Sequence, residues 1–301
     1  MNRFVPWILA VVTLVGLISV PAGCGRNIDS GSRVGIVVTI PPQAEFVERV
    51  GGDEVDVMTM VPLGAQPHAY DPKPSQLEAL SRARMYAKVG SGIEFELGRM
   101  DDLIAVNREM LVVDCSDGVD LISMAEAQTD EEEADDHQHG TMDPHIWMSP
   151  VNAMIMVRNI CNGLVEVDPE NREYYEGNRD AYLHELTQLD QDISDALSGV
   201  TNRKFIVYHP SFGYFAHEYD LTMLAIEDEG NEPSGAWMAY LIEEAREAGI
   251  KVVFASPQFN QKSAEVIADG IDGTVVLVDP LAEDYVDNVY GLLDKLVEAM
   301  E

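Results

Sequence analysis

Three histidines and one aspartate stand where a side chain can reach a ligand. His68 lies in GAQPHAYDPKP, His145 in DPHIWMSP and His209 in YHPSFGYF, each beside a proline, and Asp279 closes the apolar run VLVD ahead of Pro280. An imidazole is a neutral nitrogen donor near neutral pH, and proline restricts the backbone of the loop that carries it. Three such nitrogens with one carboxylate make a four-coordinate set that suits Zn²⁺, at Zn–N distances of about 2.0–2.1 Å. Taken singly, a loop histidine is more often a capping or packing residue than a ligand. That bland reading explains the residue types but leaves the shared placement of the four unexplained. His184, inside a long helical stretch, and His217, soon after His209, read as solvent-facing or packing residues, whereas His137 and His139 fall in the acidic run TDEEEADDHQH.

The elements that must position these residues follow from periodicity. Short Val- and Ile-rich runs at 33–40, 54–61, 85–89 and 110–114 alternate with helical patterns at 41–50, 75–84 and 93–107. The alternation resumes with strands at 205–208, 221–226, 252–255 and 275–278 and helices at 212–219, 234–248, 262–269 and 285–299. Strand and helix in turn mark a parallel sheet with crossover helices. Between the two halves, after a helix at 150–165, the stretch from Asp168 to Gly199 predicts one long amphipathic helix. Asp168 suits its N-cap, Pro169 its first turn, and Tyr175, Tyr182, Leu186, Leu189, Ile193 and Leu197 recur at helical spacing. The fold class expected is therefore α/β. Two lobes, residues 33–167 and 200–301, each form a mostly parallel four-stranded (β/α)4 sheet and are joined by a linking helix at 168–199. One sheet shared by both halves is the competing arrangement. Ligands of open parallel sheets bind beyond the carboxyl ends of the strands. That rule sets His68 and His145 on one lobe, His209 and Asp279 on the other, and a metal cleft between them.

Composition bounds the partners. The chain has 301 residues, 46% of them hydrophobic, enough for real cores, and its 53 acidic against 19 basic side chains give a net charge of −34. Such a balance argues against nucleic acid and favours a divalent cation. Residues 1–24, with Arg3 ahead of the apolar run Phe4 to Val20 and Ala22 and Gly23 just before Cys24, form a targeting segment. Its end resembles a lipoprotein cleavage box, so the body is expected outside the cell membrane, anchored to its outer face through a lipidated Cys24. Pro21 departs from the branched apolar residue usual in that box, which leaves an uncleaved anchor or plain secretion open. Residues 25–32 read as a flexible tether, and the acidic loop at 129–140 as a solvated charge run. Cys115 and Cys161 form either one bridge or two buried thiols.

At these motifs the chain resembles the substrate-binding receptors of zinc and manganese ABC importers, whose two lobes are joined by a single long helix. The resemblance runs over nearly all of the mature chain: PHAYDPKPSQLEAL at His68, the acidic loop before DPHIWMSP, HPSFGYFAHEY at His209, the segment from NEPSGAW to KSAEVIA, and VDPLAEDYVDNV at the end. It implies that His68, His145, His209 and Asp279 are the metal ligands, that an ABC permease is the partner, and that the chain works as a monomer and not as an enzyme. Manganese members of the family tend to carry Glu where this chain has His209, which implies Zn²⁺ as the transported ligand, while Asp279 matches the aspartate of manganese members and keeps Mn²⁺ in play. The acidic loop, with two histidines, departs from the histidine-rich loop of many zinc members.

Three other classes compete. A zinc hydrolase would use three histidines and an open position for water, with Glu227 or Glu232 as base, but a fourth ligand at Asp279 leaves that water little room. A surface adhesin with a purely structural metal would hold it without unloading it. An organic-solute receptor would need an Arg for a carboxylate ligand, and these loops offer His instead. Separately, the carboxylate-rich surface suits a protein that faces high salt. The expected outcome is reversible loss of stability on transfer from molar salt to dilute buffer, read by circular dichroism; a salt-independent unfolding midpoint rejects the idea.

Overall fold

The computed structural model describes residues 33–124, 142–227 and 231–300. The expected leader, the tether and the acidic loop with His137 and His139 lie outside them. Among the described residues no helix is long and apolar enough to cross a membrane.

Two four-stranded sheets of the same topology are present. The first joins β1 (Val34–Val38), β2 (Val55–Thr59), β3 (Met85–Lys88) and β4 (Leu111–Asp114) in the order β2-β1-β3-β4. The second joins β5 (Lys204–Val207), β6 (Thr222–Ala225), β7 (Val252–Ala255) and β8 (Thr274–Leu277) in the order β6-β5-β7-β8. Every pairing is parallel, as where Val37 stands between Met58 and Tyr86 and Val253 pairs with both Ile206 and Val275. A single sheet shared by both halves is thereby excluded. Strands buried on both faces carry near-continuous apolar runs, which is why GIVV and FIV need no alternation.

Helices α1 (Pro41–Gly51), α2 (Pro74–Leu80), α3 (Glu94–Val106) and α4 (Pro150–Val167) belong with the first sheet, and α6 (Gly213–Glu218), α7 (Gly235–Glu247), α8 (Lys262–Gly270) and α9 (Tyr285–Met300) with the second. The long helix α5 runs from Arg172 to Leu197, shorter at its start than the sequence predicts. Asp168 sits at φ −144°, ψ 69° and is followed by a separate 3₁₀ turn, Pro169–Asn171, so Asp168 does not cap α5. Its carboxylate instead accepts hydrogen bonds from Asn171 Nδ2 at 2.8 Å and from Tyr175 Oη at 2.6 Å, which pins the turn to the helix.

All six apolar positions along α5 are buried, and they belong to one core cluster that runs from Ile36 and Phe46 to Val289 and Leu296. The linking helix is thus packed against both lobes along its length and is no free strut. Separate clusters cover the far faces, around Tyr86 and Leu103 in the first lobe and around Leu241 and Ile267 in the second. Cys115 and Cys161 are free buried thiols, which decides between the two arrangements left open above.

Helix α4 follows the loop of His145, so its seat on the sheet positions that residue. Gly163 makes the close approach possible: a Cβ there would stand 2.4 Å from Val113 Cγ2 and 2.7 Å from Met85 Sδ. Gly163→Ala is expected to cost about 1–3 kcal/mol by overpacking, measured by urea unfolding. An unchanged midpoint would mean that α4 can lift off the sheet.

Candidate metal centre

In each sheet the strand order reverses direction beside its first strand, between β1 and β3 and between β5 and β7. Loops leave such a point in opposite senses and open a crevice. His209 follows β5, Gln258 and Phe259 follow β7, and Asp279 follows β8. On the facing lobe, Ser91, Ile93 and Glu94 follow β3, and His145 begins the 3₁₀ turn Ile146–Met148 ahead of α4.

A cavity of about 20 Å³ lies where these loops meet, walled by Gln66, Ile93, His145, Trp147, His209 and Phe259 among others. That is room for a single water molecule or ion. The described lining carries no Lys or Arg, which disfavours an anionic ligand. His145 and His209 approach from opposite lobes, with Nε2 atoms 3.3 Å apart and rings at 80°. Phe259 stacks on His209 at 4.6 Å, and Trp147 meets His145 edge-on at 5.3 Å. Trp147 Nε1 also donates to the Pro280 carbonyl at 2.8 Å, and Gln66 Nε2 to the Gln258 carbonyl at 2.6 Å, so two hydrogen bonds between lining residues cross the cleft.

Each imidazole is held from behind by a carboxylate. The fully buried Asp143 accepts with Oδ1 from the backbone N–H of His145 at 2.9 Å and from its Nδ1 at 2.7 Å. Glu227 accepts from His209 Nδ1. A carboxylate accepts, so each Nδ1 donates to its carboxylate and the two Nε2 atoms are turned toward one another across the lobe boundary. A proton shared between these two nitrogens satisfies the pair at this distance, and a metal cation bound to both replaces it. Asp143 Oδ2 is buried without a hydrogen-bond partner, which adds to the local demand for positive charge. Two nitrogens bound to one tetrahedral Zn²⁺ stand about 3.3 Å apart, the separation observed here. The spacing of this imidazole pair therefore fits the ion.

A buried polar layer fixes the His145 loop from below. Ser91 Oγ donates to the Pro144 carbonyl. The turn that carries Ser91 is gripped by Glu96, which accepts from Val89 N at 2.6 Å, Gly90 N at 2.9 Å and the Thr39 hydroxyl. Burial pushes the Glu96 carboxyl above its ordinary range in spite of these donors. Gly90 has φ +88°, and a Cβ there would collide with Asp114 Oδ1, so the turn requires glycine.

Of the four residues singled out by sequence, His145 and His209 are brought together. The backbone of His68 lies in the 3₁₀ turn Pro67–Ala69, beside lining residues Gln66 and Pro67, and its side chain is outside what the structure describes. Asp279 precedes lining residues Pro280 and Leu281, and its Oδ1 accepts from Gln258 Nε2 at 2.6 Å and Leu281 N at 2.9 Å. Among the described residues no three His, Cys, Asp or Glu side chains form a metal-holding group. His184 and His217 are exposed, as expected. Sequence reasoning missed Asp143 as the orienting partner of His145. The signal was present in DPHIW, two residues before the histidine. It considered Glu227 only as a possible base, and nothing local marks that residue as the partner of His209.

Two sheets of one topology, a long helix packed between them and a crevice at both strand-order reversals are the architecture of two-lobed solute-binding proteins. Residues 36–299 match the family model for ZnuA, described as the zinc-uptake complex component A, periplasmic. The chain belongs to this family. The high-affinity zinc uptake system protein ZnuA of Bacillus subtilis is 30% identical over 292 residues, covering 93% of this chain and 91% of that protein. The zinc-binding lipoprotein AdcA of Streptococcus pneumoniae is 26% identical over 260 residues, 86% of this chain, which spans only 52% of that relative's length. A crystal structure of ZnuA superposes with a TM-score of 0.82 at 40% identity, over 89% of this chain and all (100%) of that one. A Mn-bound periplasmic metal binding protein from candidatus liberibacter asiaticus, with a TM-score of 0.77 over 89% of this chain and 100% of its own, is 20% identical and shares the fold.

The tautomers deduced from the carboxylates are directly observable. Nitrogen NMR of the metal-free protein is expected to show a protonated Nδ1 in both His145 and His209. An unprotonated Nδ1 in either ring would overturn the assignment.

Proposed function

We propose that this protein is the extracytoplasmic receptor of an ABC importer, that it captures Zn²⁺ between its lobes, and that it hands the ion to a membrane permease. The observation that carries the reading is the pair of carboxylate-oriented imidazoles, one from each lobe, whose Nε2 atoms stand 3.3 Å apart. His145 and His209 supply two ligands, and we assign His68 and Asp279 as the remaining two, on the nearest loop after β2 and the loop after β8. Asp279 is half-buried and its carboxylate is engaged with Gln258, so joining the ion requires its side chain to exchange that partner.

Capture and release follow from the site's division between lobes. The acidic surface raises the local cation concentration and the encounter rate. The nitrogen-rich crevice then selects against the hard ions Ca²⁺ and Mg²⁺, which take oxygen ligands. A small rotation of one lobe against the other would leave each with only two ligands, so affinity falls steeply when a permease holds the lobes apart. Binding without turnover is the activity: a fourth protein ligand leaves no open position for an activated water. We place the protein outside the cell membrane, anchored through Cys24, and working as a monomer. Mn²⁺ is the second reading, favoured by the carboxylate of Asp279, although three nitrogens and one oxygen rank it below Zn²⁺.

Calorimetric titration with each metal, on protein stripped by chelator, tests this. Zn²⁺ is expected to bind one per chain and more tightly than Mn²⁺, and His209→Ala is expected to weaken it about 100-fold, about 2.8 kcal/mol. Equal affinity after that substitution, or tighter Mn²⁺ binding, would reject the zinc assignment.

A further inference from the structure

Helix α1 of the first lobe sends a carboxylate into the second. Glu45 Oε1 accepts from Tyr182 Oη of α5 at 2.8 Å. Its other oxygen accepts from the backbone N–H of Tyr285, the first residue of α9, and the N–H of Val286 also reaches the carboxylate. Around it, Phe46 packs edge-on against Tyr285 at 4.9 Å, and the Arg49 guanidinium lies 4.4 Å from the centre of the Tyr182 ring. The first N–H groups of a helix have no partner within it, and a negative charge there is favoured by the helix dipole. Here both are supplied from the other lobe.

What makes this contact more than a cap is what the next turn of the same helix holds. Asn288, one turn into α9, donates through Nδ2 to the Asp279 carbonyl at 2.7 Å. The carboxylate of Asp279 is in turn tied to Leu281 N, and Pro280 receives the indole of Trp147. A continuous chain of contacts therefore runs from α1, which starts in the buried layer of Thr39 and Gln43, through Glu45 and the first turn of α9 to the loop of Asp279. Elsewhere α9 is tied to α5, as where Tyr290 Oη donates to Asp192 at 2.7 Å, and that contact reaches neither α1 nor the metal loop.

We propose that Glu45 is a positioning residue for the metal site: it latches α9 across the lobe boundary and so sets where Asp279 stands relative to His145 and His209. The inference rests on the zinc-receptor reading and adds to it a determinant remote from the ion. Loss of the latch frees the Asp279 loop while leaving the two imidazoles and their carboxylates in place. It acts on how long the metal stays and not on how fast it arrives.

The test is a cycle of variants in the chelator-stripped protein, with Zn²⁺ affinity and dissociation rate as readouts. Glu45→Ala is expected to weaken Zn²⁺ about tenfold, through faster dissociation, with Glu45→Gln, which keeps one acceptor oxygen, recovering part of the loss. Asp192→Ala, which removes the acceptor of Tyr290 on α5 and leaves the α1 contact intact, leaves the affinity unchanged. In an Asp279→Ala background, Glu45→Ala has no further effect, because its action passes through that residue. A merely stabilising role predicts the same loss in both backgrounds, and that result overturns the proposal, as does an unchanged affinity in the single variant. If the unmutated protein takes up no Zn²⁺, the receptor reading itself fails. Should Zn²⁺ bind normally and Asp279→Ala cost nothing, the receptor reading survives and the latch does not.

Discussion

The structure turns on two imidazole nitrogens held face to face across the boundary between two lobes. Neither ring is free to turn away. Asp143 and Glu227 hold the Nδ1 edges, Phe259 and Trp147 hold the faces, and the backbone of the His145 loop is fixed from beneath by Ser91 and Glu96. Orienting the rings in this way turns two nitrogen donors into a space the size of one ion. This is preorganisation for a cation, and the described lining of the crevice carries no Lys or Arg to oppose it.

Such a site works in a receptor only if its halves can part. Here the geometry of the cores matters as much as that of the ligands. A single apolar cluster runs along α5 and through the facing helices of both lobes. Large excursions would expose that cluster, so lobe movement is confined to small angles. Small angles are sufficient, because a ligand moved by a few ångströms no longer bonds to the ion. Any opening must break the bonds of Trp147 to Pro280 and of Gln66 to Gln258. The Glu45 contact ties the lobes separately, at the start of α9.

The charge of the chain and the chemistry of the site serve different steps. A chain with 53 acidic against 19 basic side chains draws any cation without discriminating among them. Discrimination belongs to nitrogen donors in a narrow crevice.

Much of the architecture was legible in the amino-acid sequence, for a local reason. Val- and Ile-rich runs alternating with 3.6-residue periodicity name a strand or a helix wherever they occur, and each predicted strand is found within a residue or two of its place. The stripe from Tyr175 to Leu197 likewise announced the long helix and its buried face. Its start was misplaced, because Asp168 and Pro169 satisfy the rules for a helix entry and for a 3₁₀ turn equally well, and only the bond from Tyr175 to Asp168 selects the turn. The two histidines that meet, His145 and His209, were visible too, each beside a proline. What the tertiary structure alone decided is distance: two separate sheets instead of one, free thiols instead of a bridge, Glu227 behind His209, and Glu45 against a helix that begins at Tyr285. Periodicity records which face of an element is apolar. It carries no information on which residues of another element will meet that face, since this depends on how all the elements pack at once.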